Sequence, residues 1–323
     1  MSNITPEIAI VIPCYNEQEV LPLTNSTLTG LLKHMVQDGE IAASSYILYV
    51  DDGSRDNTWN LIEEYASESA LVKGIKLAAN SGHQNALIAG LETVADHCDA
   101  AISIDADLQD DIDAIPRMIA EFRKGYDIVY GVRNSRESDT WFKRESAQSF
   151  YKLMKDLGVN SVYNHADFRL MSSDAIKDFL KFEERNIFIR GIIPGLGRKQ
   201  TSVFYDRKPR QAGESKYPLK KMINFAVDGI TSFSVRPVRM VFFLGLGFLL
   251  VALGIFIYVM IRYFGGETIE GWTSLMLSIW FCTGMILISL GIIGEYIGKI
   301  YTEVKHRPRY SIEKTITLSH NND

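Results

Sequence analysis

Five short β-rich runs, at residues 8–12, 46–50, 72–77, 100–104 and 128–132, alternate with stretches whose apolar residues recur at helical spacing, at 21–36, 58–66, 84–95, 115–123 and 142–157. Few folds are open to a chain written this way. Strand, helix and strand in succession predict an α/β domain whose mostly parallel sheet is covered by helices on both faces. In open sheets of this kind ligands bind outside the carboxyl ends of the strands. The polar clusters fall at those ends. Pro13-Cys14-Tyr15-Asn16-Glu17 follows the first run, Asp51-Asp52-Gly53-Ser54 the second, Asn80-Ser81-Gly82-His83 the third and Asp105-Ala106-Asp107-Leu108-Gln109 the fourth. Singly, the second cluster reads as a β-turn and the third as a helix start; four on one edge read as a binding site. Neither GxGxxG nor GxxxxGK[ST] occurs, so neither a dinucleotide fold nor a P-loop is supported.

The fourth cluster points to a chemistry. In extended chain, positions i, i+2 and i+4 share a face, so Asp105, Asp107 and Gln109 would present two carboxylates and an amide together. Oxygen ligands suit a hard divalent cation, Mg²⁺ or Mn²⁺, which usually holds a diphosphate between itself and the protein. That chemistry suggests a nucleotide-sugar site. The competing reading is a solvated acidic loop, because Asp110, Asp111 and Asp113 follow at once.

The net charge of −5 conceals an asymmetry: residues 1–140 carry 23 acidic and 9 basic side chains, whereas residues 181–240 carry 5 acidic and 13 basic. A basic segment suggests an anionic partner. This one runs into two uncharged apolar stretches, 240–261 with 22 residues and 271–294 with 24. Each exceeds the roughly 20 residues needed to cross a hydrocarbon core, so a membrane hairpin is expected, and a lipid headgroup or lipid-borne phosphate fits the basic segment better than nucleic acid. Lys220, Lys221, Arg236 and Arg239 flank the entrance, and Lys299, Lys305, Arg307 and Arg309 the exit, which by the positive-inside rule places both chain ends in the cytoplasm. No signal peptide is read before Ile8. Cys14, Cys98 and Cys282 stand far apart without a CxxC pair, as expected in a reducing compartment. Between residues 217 and 234, Leu219, Met222, Ile223, Ala226, Val227 and Ile230 recur at helical spacing, which predicts either a helix lying at headgroup level or a core helix of the preceding domain.

With these residues in place, the chain resembles the family 2 glycosyltransferases of the GT-A fold. It is more similar still to the polyprenyl-phosphate glycosyltransferases, which include dolichyl-phosphate mannose synthases and bactoprenol glucosyltransferases. The resemblance is carried by Pro13 to Glu17, Asp51 to Asp56, Asn80-Ser81-Gly82-His83-Gln84, Asp105 to Asp110, Ala166-Asp167-Phe168-Arg169-Leu170, Gly213-Glu214-Ser215-Lys216-Tyr217 and Gly294-Glu295-Tyr296-Ile297-Gly298. It implies a GT-A, Rossmann-like catalytic domain at 1–216, an amphipathic juxtamembrane helix at 217–236, a two-helix transmembrane hairpin at 237–300 and a cytoplasmic tail at 301–323, in a multi-pass protein of the inner membrane. Homo-oligomers are known in this branch.

The resemblance also implies roles. Pro13, Tyr15 and Glu17 would frame the nucleobase and ribose, Asp52 would hold the base, and Ser54 and Asn80 would complete the donor site. Asp105, Asp107 and Gln109 would gather Mg²⁺ or Mn²⁺ and the diphosphate. Asp167 occupies the place of the candidate catalytic carboxylate, Asp107 serves catalysis through the metal, and Arg133, Arg169, Arg207, Arg210, Ser215 and Lys216 would grip donor or acceptor phosphate. The reaction implied is inverting transfer of a hexose, from UDP-glucose or UDP-N-acetylglucosamine, to undecaprenyl phosphate. A phosphate monoester has its second pKa near 6 and is already anionic near neutrality, so a strong general base is hardly required. Two rivals have other signatures. A processive polysaccharide synthase resembles its own kin in a QxxRW motif, and none of Trp59, Trp141, Trp272 or Trp280 follows an arginine here. A catalytically silent nucleotide-sugar-binding scaffold would have lost the metal ligands, which are present.

Overall fold

In the computed structural model, the described residues are 5–134, 165–185, 187, 189–206 and 271–316, together with single positions between 238 and 265. They fall into two compact units. One contains Met1–Lys152, Asn160–Tyr217 and Arg307–Asp323, the other Leu153–Val159 and Pro218–His306.

The first unit is built on strands β1 (Ile8–Cys14), β2 (Tyr46–Asp51), β3 (Val72–Leu77), β4 (Ala100–Ser103), β5 (Ile128–Arg133), β6 (His165–Ser172), β7 (Gln200–Tyr205) and β8 (Ile312–Ile316). Helices α1 (Leu21–Gln37), α2 (Thr58–Glu68), α3 (His83–Val94) and α4 (Ala114–Arg123) intervene. All five strands and four of the five helices read from periodicity are therefore present; the fifth helix, 142–157, lies outside the described residues. The strands form one sheet in the order β7-β5-β6-β4-β1-β2-β3-β8. Six run in one direction, while β6 is antiparallel to β4 and β5 and β8 is antiparallel to β3. The sheet is mixed and mostly parallel.

Alternation along β1 explains the two covered faces. Ile8, Ile10 and Ile12 join Leu21, Leu28 and Leu32 of α1, Ile62 of α2 and Met118 of α4 in one core cluster. Val11 points the other way, where a Cβ added to Gly90 of α3 would stand 2.3 Å from its Cγ1 and 2.9 Å from that of Val50 Cγ2. Gly90 thus lets α3 lie directly on β1 and β2. Gly90→Ala should lower the melting temperature, with a cost of about 1–3 kcal/mol for overpacking, checked by thermal unfolding.

Chain order reverses between β1, which leads to β2 on one side, and β4, which returns on the other. That switch point is where a crevice opens in an α/β sheet. It brings together the ends of β1 and β4, and β6 adds its residues beside β4.

Ile312–Ile316, within the segment 301–323 expected as a tail, form β8. Its register with β3 pairs Lys76 with Lys314 and Ile75 with Thr315. In the second unit, the helix Trp272–Val304 exposes apolar side chains such as Leu287, Leu290 and Ile297. Among the described residues one helix, Phe281–Val304, is long and apolar enough to cross a membrane. The second span expected at 240–261 is helical at the positions described within it, and the 217–236 helix lies outside the described residues.

Candidate active site

The loops after β1 and β2 are tied together by short polar side chains. Asn16, with φ of +55°, donates its N–H to Ser54 Oγ at 2.9 Å and accepts the Arg55 N–H at 2.8 Å. The Glu17 N–H donates to Thr58 Oγ1 at 2.9 Å. Pro13 is buried in β1 opposite Val50, and Tyr15 stands exposed at the loop. Asp52, expected to hold the base, uses both carboxylate oxygens on the next loop: Ser81 N–H donates at 2.7 Å and Gly82 N–H at 2.9 Å. Burial raises the pKa of Asp52, which these amides oppose. Gly53, at φ +66°, lies so close to that loop that a Cβ would meet the Asn80 nitrogen at 2.7 Å. Gly53→Ala should therefore displace residues 79–82 and destabilise the unit by about 1–3 kcal/mol, read as a lower melting temperature.

The acidic cluster departs from its expected geometry. Strand β4 ends at Ser103, and Asp105 to Gln109 form a turn instead of an extended edge. Leu108 takes φ +47°, its N–H donating to Asp105 O at 3.4 Å, and Thr24 of α1 donates its hydroxyl to Ala106 O at 2.6 Å. Asp107 and Gln109 come together through this turn: Gln109 donates its N–H at 3.2 Å and its Nε2 at 2.9 Å to the Asp107 carboxylate. The neighbouring Asp110 has another task. Buried, it accepts from Arg133 Nη2 at 2.8 Å and from Tyr205 Oη at 2.6 Å. Arg133, expected at a phosphate, is thus drawn to a carboxylate of its own domain.

Strand β6 alternates cleanly, with Phe168 and Leu170 in the core and Asp167 and Arg169 on the other face. Arg169 Nη2 donates to Asp167 Oδ1 at 2.6 Å. Arg190, on the short helix Ile189–Ile192, adds bonds from Nε at 3.1 Å and Nη2 at 2.9 Å. His83, at the start of α3, brings Nε2 to 3.5 Å from Asp167 and 3.6 Å from Asp105. The topology therefore joins the ends of β3, β4 and β6 through a single imidazole.

Charge follows from this arrangement. Burial favours the protonated form of Asp167, but the His83 hydrogen bond and the Arg190 and Arg169 charges outweigh it and hold the carboxyl well below its usual range. Burial also works against a charged His83, and the two acids nevertheless raise its pKa. Asp105 is pushed up to about 6 by burial, opposed by His83 and reinforced by Asp167, Asp110 and Asp107. The site is a fixed carboxylate enclosed by cations, next to an acid that binds protons more readily. Arg169 is only 1% exposed, and its Nε and Nη1 have no hydrogen-bond partner among the described residues.

Arg190 was not among the residues expected from sequence. The signal was there: a lone charge within Ile187-Phe188-Ile189-Arg190-Gly191-Ile192-Ile193, since an arginine in an apolar run needs a partner. Asp51, within the cluster expected after β2, has no hydrogen-bond partner for its buried Oδ2 among the described residues. Arg207, Arg210, Ser215 and Lys216 lie outside the described residues.

The sequence profile described as Glycosyl transferase family 2 matches residues 9–180. The chain is 49% identical over 319 residues to the uncharacterized glycosyltransferase YkoT of Bacillus subtilis, covering 97% of this chain and 93% of that one. It is 37% identical to the SfII prophage-derived bactoprenol glucosyl transferase of Shigella flexneri, covering 96% and 98%. Among solved structures, mannosyl-3-phosphoglycerate synthase from Rubrobacter xylanophilus aligns with 73% of this chain and 74% of its own at 15% identity and a TM-score of 0.48. By its profile and its relatives, the chain is a glycosyltransferase that belongs to glycosyl transferase family 2, in the polyprenyl-phosphate group.

Proposed function

We propose that this enzyme transfers a hexose from a nucleoside-diphosphate sugar, UDP-glucose or UDP-N-acetylglucosamine, to undecaprenyl phosphate with inversion of configuration. The observation that carries the reading is the junction of Asp167, His83, Asp105, Arg169 and Arg190 at the carboxyl ends of the sheet strands. The bactoprenol glucosyl transferases similar over nearly the whole chain support the acceptor class.

Asp105, Asp107 and Gln109 would hold Mg²⁺ or Mn²⁺. Among the described residues no three His, Cys, Asp or Glu side chains form a cage. Two half-buried carboxylates beside an amide nevertheless fit a cation that takes its remaining ligands from a diphosphate. When bound, the cation neutralises charge developing on the departing nucleotide. The chain's own groups do the rest. Tyr15 and the Asp52-pinned loop would bound the nucleoside, and Arg190 and Arg169 would set the charge around the anomeric centre. An acceptor phosphate oxygen forms the new bond to the anomeric carbon as the bond to the donor β-phosphate breaks, and the electron pair leaves with the nucleoside diphosphate. No proton needs to move. Asp167, held ionised at low proton affinity, is a poor base and a good electrostatic partner, so its role is to orient His83 and Arg190 and to stabilise positive charge on the sugar.

The C-terminal strand supports a membrane hairpin. Since β8 pairs with β3, a chain that leaves this sheet for a bilayer and returns to it must cross an even number of times, as the apolar runs 240–261 and 271–294 would. Cysteines placed at 266–269 should react with an impermeant reagent from the periplasmic side, and those at 318–323 should not. Labelling of both sets from one side would remove the hairpin.

Membranes containing the enzyme, supplied with undecaprenyl phosphate and radiolabelled UDP- and GDP-sugars, should pass label from a UDP-hexose to the organic phase, and EDTA should stop the transfer. Label appearing only in polymer, or a lipid product of retained configuration by NMR, would overturn the proposal.

A further inference from the structure

We infer that residues 309–316 form a strap that positions the active-site loops, with Arg309 as a positioning residue; this rests on the site proposed above. Arg309, Tyr310, Ser311 and Glu313 each hold a different part of the apparatus. Arg309 Nη2 donates to Phe182 O at 2.6 Å and to Glu184 O at 3.0 Å, in the segment that precedes the Arg190 helix. Tyr310 donates its hydroxyl to Glu92, on the last turns of α3. Ser311 O accepts the N–H of Ala78, the first residue of the loop that carries Asn80, Ser81 and Gly82 to the site. Glu313 lies 3.3 Å from Lys76, whose strand neighbour in register is Asp51.

These attachments grip the two segments that enclose Asp167. The 78–82 loop leads into His83, and the 182–184 segment leads to Arg190. The two are already linked, because Gln84 Oε1 accepts the Ile189 N–H at 3.1 Å. The strap closes the circuit through Phe182, Glu184 and Ala78. Surface ion pairs alone would contribute little, but a guanidinium on two carbonyls and a strand ladder fix direction as well as distance. In the sequence Arg309 counts among the bases that flank the exit of the long apolar run; in the structure its guanidinium donates to Phe182 O and Glu184 O of the first unit.

The test uses the full-length enzyme in membranes or detergent and the variants Arg309→Ala and Arg309→Lys. Hydrogen exchange in Arg309→Ala should rise about tenfold at residues 79–84 and 189–190 and stay unchanged in β1 and α4. Donor kcat/KM should fall about tenfold, since small displacements of positioned groups are amplified in rate, and the KM for lipid acceptor should hold within about twofold; Arg309→Lys should recover most of the loss. Leu32→Ala, which opens a cavity under α1, supplies a control of reduced stability. Unchanged exchange at 79–84 and 189–190 would overturn the strap, as would a loss in Leu32→Ala equal to that in Arg309→Ala at matched melting temperature. A parent enzyme that transfers no hexose to undecaprenyl phosphate would sink the proposed reaction instead, and the exchange result would still decide the strap.

Discussion

Asp107→Ala is expected to lower kcat by about 10³-fold or more, because it removes half of the carboxylate pair that would hold the cation on the leaving diphosphate. The protein should stay folded and membrane-bound. Asp107 is half-buried on a turn whose hydrogen bonds from the Thr24 hydroxyl to Ala106 O and from the Leu108 N–H to Asp105 O do not involve its side chain, so its loss removes the two bonds from Gln109 and leaves these in place. Three residues on, the expectation reverses. Asp110→Ala would strand Arg133 and Tyr205 around a buried vacancy, so it should cost stability first, by about 3–5 kcal/mol as for other buried pairs deprived of one partner. Thermal unfolding and hexose transfer measured on both variants separate the two acids. Near-normal turnover in Asp107→Ala would remove it from the metal site.

Asp167→Ala should be damaging on both counts. It leaves Arg169, 1% exposed, beside Arg190 and His83 without the carboxylate that the three share, at a cost of about 3–5 kcal/mol. Asp167→Asn keeps the shape and should retain more stability, yet its kcat should drop about 10²-fold or more, because the charge that sets His83 and Arg190 is gone. The pH dependence follows from the direction of the shift. The folded pKa of Asp167 lies below its unfolded value, so the carboxylate stabilises the fold above about pH 4, and that contribution is lost as pH falls through the lower folded value. The difference in stability between the parent and Asp167→Asn should therefore shrink as pH falls below about 4, beneath the range in which Asp105 titrates. A difference that grew on acidification would contradict an ionised Asp167.

The elements that were legible and those that were not differ in a physical way. Strands β1 to β5 lie inside the sheet or lead into helices, so their apolar content and the helical period beside them announce both. Strand β7 is Gln-Thr-Ser-Val-Phe-Tyr and β8 is Ile-Glu-Lys-Thr-Ile. As edge strands they bury little, β7 only Val203 and Tyr205, and neither is apolar along its length. Strand β6 alternates, but its second face carries Asp167 and Arg169, which become tolerable only when Arg190 and His83 arrive from elsewhere.

By itself the sequence determined the parallel core and the polar clusters at the carboxyl ends of its strands, because these depend on local period, and the glycosyltransferase class, because short motifs resemble that family's. Tertiary structure decided the pairings. Arg190 meets Asp167 across 23 residues, Tyr205 meets Asp110 across 95 and Arg309 meets Phe182 across 127. It also turned the Asp105 to Gln109 edge into a loop, and it returned Ile312–Ile316 to the sheet beside β3. Charges and carbonyls choose partners by distance in space, and one sequence read in order carries no measure of that distance.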